Sequence, residues 1–143
     1  GLGAGQVSRV DAVHMALKKG GKNIWGGILA SDAFFPFRDS IEAIKNSGIQ
    51  ILVNLASNEY YNVVNKPALQ GRVITPIFKD QQRGDFKVIS FFAKKARGAM
   101  SDYLVRHRIS EPEGLKEFKG LGYQFNPNLT RDDSWVFTRK EAA

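Results

Sequence analysis

Residues 24–55, IWGGILASDAFFPFRDSIEAIKNSGIQILVNL, decide the fold. Ile24 to Ala30 is a short apolar run that reads as a buried strand. Ile49 to about Leu55 is a second, apolar but for Gln50 and Asn54, as a parallel strand covered on both faces would be. Between them Asp39 and Glu42 have the spacing of a capping box, opening a helix with Ile41 and Ile44 inward that ends at Gly48. A hairpin has no room for such a helix, so strand, helix, strand implies a right-handed crossover between adjacent parallel strands.

Working outward, residues 6–19 read as a helix. Ser8 and Asp11 are its capping pair, Val10, Val13, His14 and Leu17 lie on one face, and Gly20 and Gly21 stop it. Downstream, a further helix starts near Ser57. Arg72–Phe78 and Phe86–Phe92 are β-branched and aromatic runs that read as a hairpin, with Arg83-Gly84-Asp85 as its turn rather than as an adhesion tripeptide. Ala96, Met100, Tyr103, Leu104 and His107 recur at helical spacing, with Asp102 and Arg106 as an i,i+4 pair on the wet side. Ser110 and Glu113 form a third capping box with Pro112 in the first turn, residues 121–134 read as loop, and Trp135–Thr138 as a final strand. The fold class is therefore α/β, one domain over residues 1–143 with a mixed sheet: parallel strands and a crossover helix first, then a hairpin and C-terminal helices.

Composition narrows the function. The chain has 143 residues, 43% of them hydrophobic and 11% aromatic, and no Cys. It contains no apolar run near the ~18 residues of a membrane span, so disorder and membrane insertion are both poor fits. Without cysteine there are no disulfides, thiolate metal sites or Cys nucleophile, and GLGAGQ lacks the pattern of a signal peptide, so a cytoplasmic setting is expected. Gly1-Leu2-Gly3-Ala4-Gly5 has no strand before it to aim a helix at a phosphate, and His14 and His107 have no further ligands at metal-site spacing. No cofactor and no metal are expected.

Charge is more informative. Residues 1–50 carry six basic and four acidic groups, residues 51–143 fifteen and ten. Lys79, Arg83, Lys87, Lys94, Lys95 and Arg97 face only Asp80 and Asp85 locally, enough to attract a polyanion. Lys87, Lys94, Lys95 and Arg97 are the candidate nucleic-acid contacts, the last three on the N-terminal turn of a helix where free backbone N–H groups add to the field. Leu29–Phe35 (LASDAFF) and Leu55–Tyr61 (LASNEYY) also echo one another, and each follows a strand. Open α/β sheets bind ligands at such carboxyl ends.

Two family resemblances attach to these stretches. Residues 3–47, GAGQVSRVDAVHMALKK and GGILASDAFFPFRDSIEAIKNSG, resemble the C-terminal part of the AICAR transformylase domain of the bifunctional purine-biosynthesis enzyme PurH. That resemblance implies a nucleotide and folate pocket at Ser31, Asp32, Phe34, Phe35 and Arg38, with Gln6 and Arg9 near by. The catalytic Lys and His of that family have no counterpart here, so formyl transfer, which needs an acid/base for the amine proton, is not expected. Residues 51–139, through VNLASNEYYNVV, GRVITPIFKD, FKVISFFAKKARGAMSDYLV, ISEPEGLKEF and WVFTR, resemble the C-terminal third of the YaaA peroxide-stress family, and Trp25-Gly26 is similar to that family's Trp-Gly-Asp turn without its Asp. This second resemblance implies cytosolic DNA binding, with a basic cleft near Asn54, Ser57, Asn58, Glu59, Lys94, Lys95 and Arg97. Read together, the two imply a chimera with a transformylase-like segment over 1–50 and a YaaA-like segment over 51–143.

The expected function is a non-catalytic basic domain that binds nucleic acid or another polyanion. Two alternatives stay open: a recombinant or designed chimera acting through a protein partner, such as an inhibitor or antitoxin, and a purine-nucleotide-binding remnant of a transformylase.

Overall fold

The computed structural model describes residues 1–31, 38–57, 61 and 71–140. Among these, the strands are β1 (Ile28–Ser31), β2 (Ile51–Asn54), β3 (Arg72–Gln82), β4 (Asp85–Lys87), β5 (Gln124–Phe125) and β6 (Ser134–Arg139), and the α-helices are α1 (Arg9–Gly20), α2 (Arg38–Asn46) and α3 (Ser90–Arg106). The strands form one open mixed sheet in the order β1-β2-β3-β6-β5, with β4 paired to the far end of β3. β1, β2, β3 and β6 run parallel, while β4 and β5 are antiparallel to their neighbours.

The crossover is as the sequence requires: Ile28 lies opposite Ile51 and Ser31 opposite Asn54, in parallel. Successive residues of β2 then point to opposite faces. Val53 joins a large core with Ile74, Phe78, Ala93, Ala96, Met100, Leu115, Phe118 and Phe137, which seats α3, whereas Leu52 joins a smaller one with Val13, Ile41 and Ile44 beneath α1 and α2. Helices therefore cover both faces, the reason β2 reads as a nearly unbroken apolar run.

Several expectations need correction. The first strand begins at Ile28 rather than Ile24, because Gly21–Ile24 is a 3-10 turn and Gly26 bends the chain at φ +71°. As the outermost strand it is only half-buried. Ser8 does cap α1, accepting from the Asp11 N–H at 3.2 Å, but His14 is exposed rather than on the apolar stripe. Asp39 lies inside the first turn of α2 and accepts from the Ser40 N–H at 2.9 Å, so it is not the N-cap of the expected box. Near Ser57, the Tyr61 N–H donates to the Ser57 carbonyl at 2.9 Å, which fits the helical start expected there.

The second arm of the hairpin is three residues long, not seven, and Ser90 to Phe92 open α3. The turn itself is as expected, with Arg83 (φ 50°) and Gly84 (φ 90°) both left-handed, the pattern a two-residue hairpin loop needs. On α3, Ala96, Met100 and Leu104 are buried, Asp102 pairs with Arg106 at 2.7 Å, and His107 is exposed. Pro112–Glu117 is a 3-10 helix whose N-cap residue is Glu111, which makes no side-chain capping bond, so Ser110 and Glu113 do not form a box. The stretch expected to be loop contains β5, held by Phe125 opposite Phe137.

Candidate functional site at the carboxyl edge of the sheet

β3 extends well beyond β2, and its alternation decides what stands at its end. Ile74, Pro76, Phe78 and Asp80 all point to the buried face. By the same period-two rule that buries Phe78, a carboxylate enters the interior and requires partners. The register with β6 supplies one, since Arg139 lies opposite Asp80 and its Nε donates to Asp80 Oδ1 at 2.7 Å. Tyr123 supplies the other, its hydroxyl donating to Asp80 Oδ2 at 2.8 Å. The Arg139 guanidinium is 4.9 Å from the Tyr123 ring centroid and 4.4 Å from that of Phe92. The end of β6 is thus tied to the first turn of α3.

Burial, then the hydrogen bond to Asp80 and its negative charge, raise the ionisation of Tyr123 well above its ordinary 10.0, and Arg139 only partly opposes them. A native value above the unfolded one means that the stabilisation is complete below about pH 10 and is lost as pH rises through the native value. Urea melts from neutral pH to about pH 11 should show stability falling at the alkaline end, and Tyr123→Phe should remove most of that fall.

The predicted ligand residues divide into several groups. Ser31, Asn54 and Ser57 gather at the carboxyl ends of β1 and β2, joined by the Leu55 N–H donating to the Ser31 carbonyl at 2.8 Å. Asn54 is buried and its amide is used internally: Nδ2 donates to Thr75 Oγ1 at 3.3 Å, and Oδ1 accepts from the Ala56 N–H at 3.1 Å. It shapes the turn and has little left to offer a ligand. Ser57 Oγ is buried without a hydrogen-bond partner among the described residues. Gln6 and Arg9 stand at the amino end of α1, on the other layer from α3, and Gln6 Nε2 donates to the Ala4 carbonyl at 3.0 Å. Asp32, Phe34, Phe35, Asn58 and Glu59, with the side chain of Arg38, lie outside the described residues.

The predicted cations converge better. Lys87 lies on β4 opposite Asp80, and Lys94 and Lys95 are exposed on α3. None of these three lysines makes an ion pair among the described residues. Arg97 is half-buried and already engaged, so it differs from them. The helix starts at Ser90, which puts Lys94 and Lys95 in its second turn rather than its first, as the sequence suggested. Helical side chains lean toward the N-terminus, and Lys95 Nζ accordingly reaches back to 4.5 Å from the Phe91 ring centroid. Sequence reasoning missed the Asp80–Arg139–Tyr123 cluster, although the parity of Asp80 with Ile74 and Phe78 was the signal that could have found it.

Among the described residues no group of His, Cys, Asp and Glu is arranged to hold a metal, and no helix is long and apolar enough to cross a membrane. What the fold defines is an open-sheet α/β domain with cations and aromatic rings collected at the carboxyl edge of its parallel strands, where such sheets take ligands. By sequence comparison the chain belongs to the peroxide stress protein YaaA family, whose model matches residues 25–129. UPF0246 proteins are similar to it: one from Cellvibrio japonicus is 54% identical over 91 residues, 64% of this chain and 35% of that protein. One from Teredinibacter turnerae is 50% identical over 98 residues, 68% of this chain and 38% of the relative. Another, from Neisseria gonorrhoeae, is 44% identical over 124 residues, 85% of this chain and 45% of the relative. The chain spans less than half the length of these curated relatives. The family match starts well before Ile51, so residues 25–50 go with the rest of the chain, and the comparisons give no support to a transformylase segment or a chimera.

Proposed function

We propose that the carboxyl edge of the sheet binds nucleic acid or another polyanion by charge, as a non-catalytic domain of the peroxide-stress type. The observation that carries this reading is the trio Lys87, Lys94 and Lys95, exposed at one edge with no carboxylate in ion-pair reach among the described residues. The nearby buried acid, Asp80, is neutralised by Arg139 and does not offset them. Cations without an ion-pair partner on a folded surface raise the local concentration of anions, and binding to a charged backbone releases counterions. Membership of the family supports a stress-related role; the polyanion reading rests on the charge.

Filter binding of a DNA duplex at two salt concentrations tests it. Affinity should fall steeply with salt, and the triple variant Lys87→Gln, Lys94→Gln, Lys95→Gln should bind more weakly, with the slope of log K against log salt shallower by about 0.9 for each phosphate no longer neutralised. Melting temperature should stay where it was, because exposed lysines without ion pairs contribute little to stability. Unchanged binding by the triple variant would move the polyanion site elsewhere.

A further inference from the structure

The same edge carries apolar surface that charge does not explain. Val88, just before α3, is 54% exposed, and Phe91 and Phe92 in its first turn are 61% and 36% exposed. The rings of Phe91 and Phe92 meet edge to face at 5.4 Å, with Lys95 Nζ 4.5 Å from the Phe91 centroid and the Arg139 guanidinium 4.4 Å from that of Phe92. A cation thus stands at each end of the ring pair, and Lys87 and Lys94, close by in sequence, are exposed as well. Large exposed rings are costly in water, and a contiguous apolar patch rimmed by polar groups marks a binding surface.

We infer that this strip binds single-stranded nucleic acid, a base stacking on Phe91 while Lys94 and Lys95 hold the adjoining phosphates. The inference rests on the polyanion reading above and adds the class of strand. A duplex keeps its base faces inside its own stack and offers the rings no partner. An unpaired strand presents a π-face and a phosphate at each nucleotide, and the strip offers exposed rings with cations beside them. Stacking tolerates any base, so the site selects strandedness rather than sequence.

Fluorescence anisotropy of the 143-residue chain with a labelled oligothymidylate, and with a blunt duplex of equal phosphate count, tests the inference. The single strand should bind more tightly. Phe91→Ala should weaken it by about 5- to 100-fold and leave the salt slope unchanged, because no charge is removed. Duplex affinity should move by less than about twofold, the level expected when no base stacks on the ring. Val105→Ala, at another exposed apolar position on the far half of α3, should change neither. If Phe91→Ala lowers the melting temperature, Phe91→Leu, which keeps the apolar bulk but not the π-face, carries the same expectation. Equal binding of both strands with Phe91→Ala indifferent to each overturns the stacking site while leaving the polyanion reading intact. Absence of salt-sensitive binding to either removes that reading as well, and the strip then belongs to a protein partner.

Discussion

Replacing Val53 with aspartate should abolish the cooperative unfolding transition of this chain. Val53 is fully buried in β2, opposite Ala30 on one side and Ile74 on the other, and it belongs to the core that seats α3. A carboxylate there meets no donor or cation on the apolar side chains around it. Burying it unpaired costs several kcal/mol, against a total stability of about 5–15 kcal/mol for a domain of this kind. Circular dichroism during heating measures the outcome; a variant that melts like the parent would show β2 to be peripheral.

Asp80→Ala should lower stability by about 3 kcal/mol, since it strands the Arg139 guanidinium and the Tyr123 hydroxyl in a largely buried cluster. Arg139 retains some access to water, which places the loss at the lower end of what breaking a buried pair costs. Asp80→Asn, which keeps an acceptor for Tyr123, should lose less. The double replacement Asp80→Leu with Arg139→Met removes both charges together and should recover much of the loss, because a buried pair and an apolar pair of similar volume are close in stability. Urea midpoints compare the series; equal midpoints for Asp80→Ala and the parent would mean that the pair contributes nothing.

The two kinds of element were unequally legible in the sequence. Parallel pairing of β1 with β2 was readable because a helix with Ile41 and Ile44 on its inner face stands between two apolar runs, and chain geometry then leaves one topology. The boundary between β4 and α3 was not. Phe86, Val88, Phe91 and Phe92 look like a strand, and the helix opens after Ile89, which makes no side-chain capping bond, so no start signal marks the change. That error hid the first turn of the helix and with it the exposure of Phe91, a property that belongs to packing and not to residue type. The cations were found by charge alone, but their separation into exposed Lys94 and Lys95, which make no ion pair among the described residues, and half-buried, engaged Arg97 depends on which way each faces from α3. Asp80 was read as surface charge where strand parity makes it interior.

The placement of β6 beside β3 bears on how the chain acquires its structure during synthesis. Thr75 to Asp80 pair with Ser134 to Arg139, so the upper half of β3 finds its neighbour only when the C-terminal strand of this chain has left the ribosome. Until then β2 and the short β4 are its available neighbours, and its backbone from Thr75 to Lys79 presents an open edge to any other extended chain. Pairings so distant in sequence form slowly, and a nascent chain in this state is more exposed to aggregation than the finished sheet. The strand at the centre of the folded domain is therefore its most vulnerable one while the domain is being made.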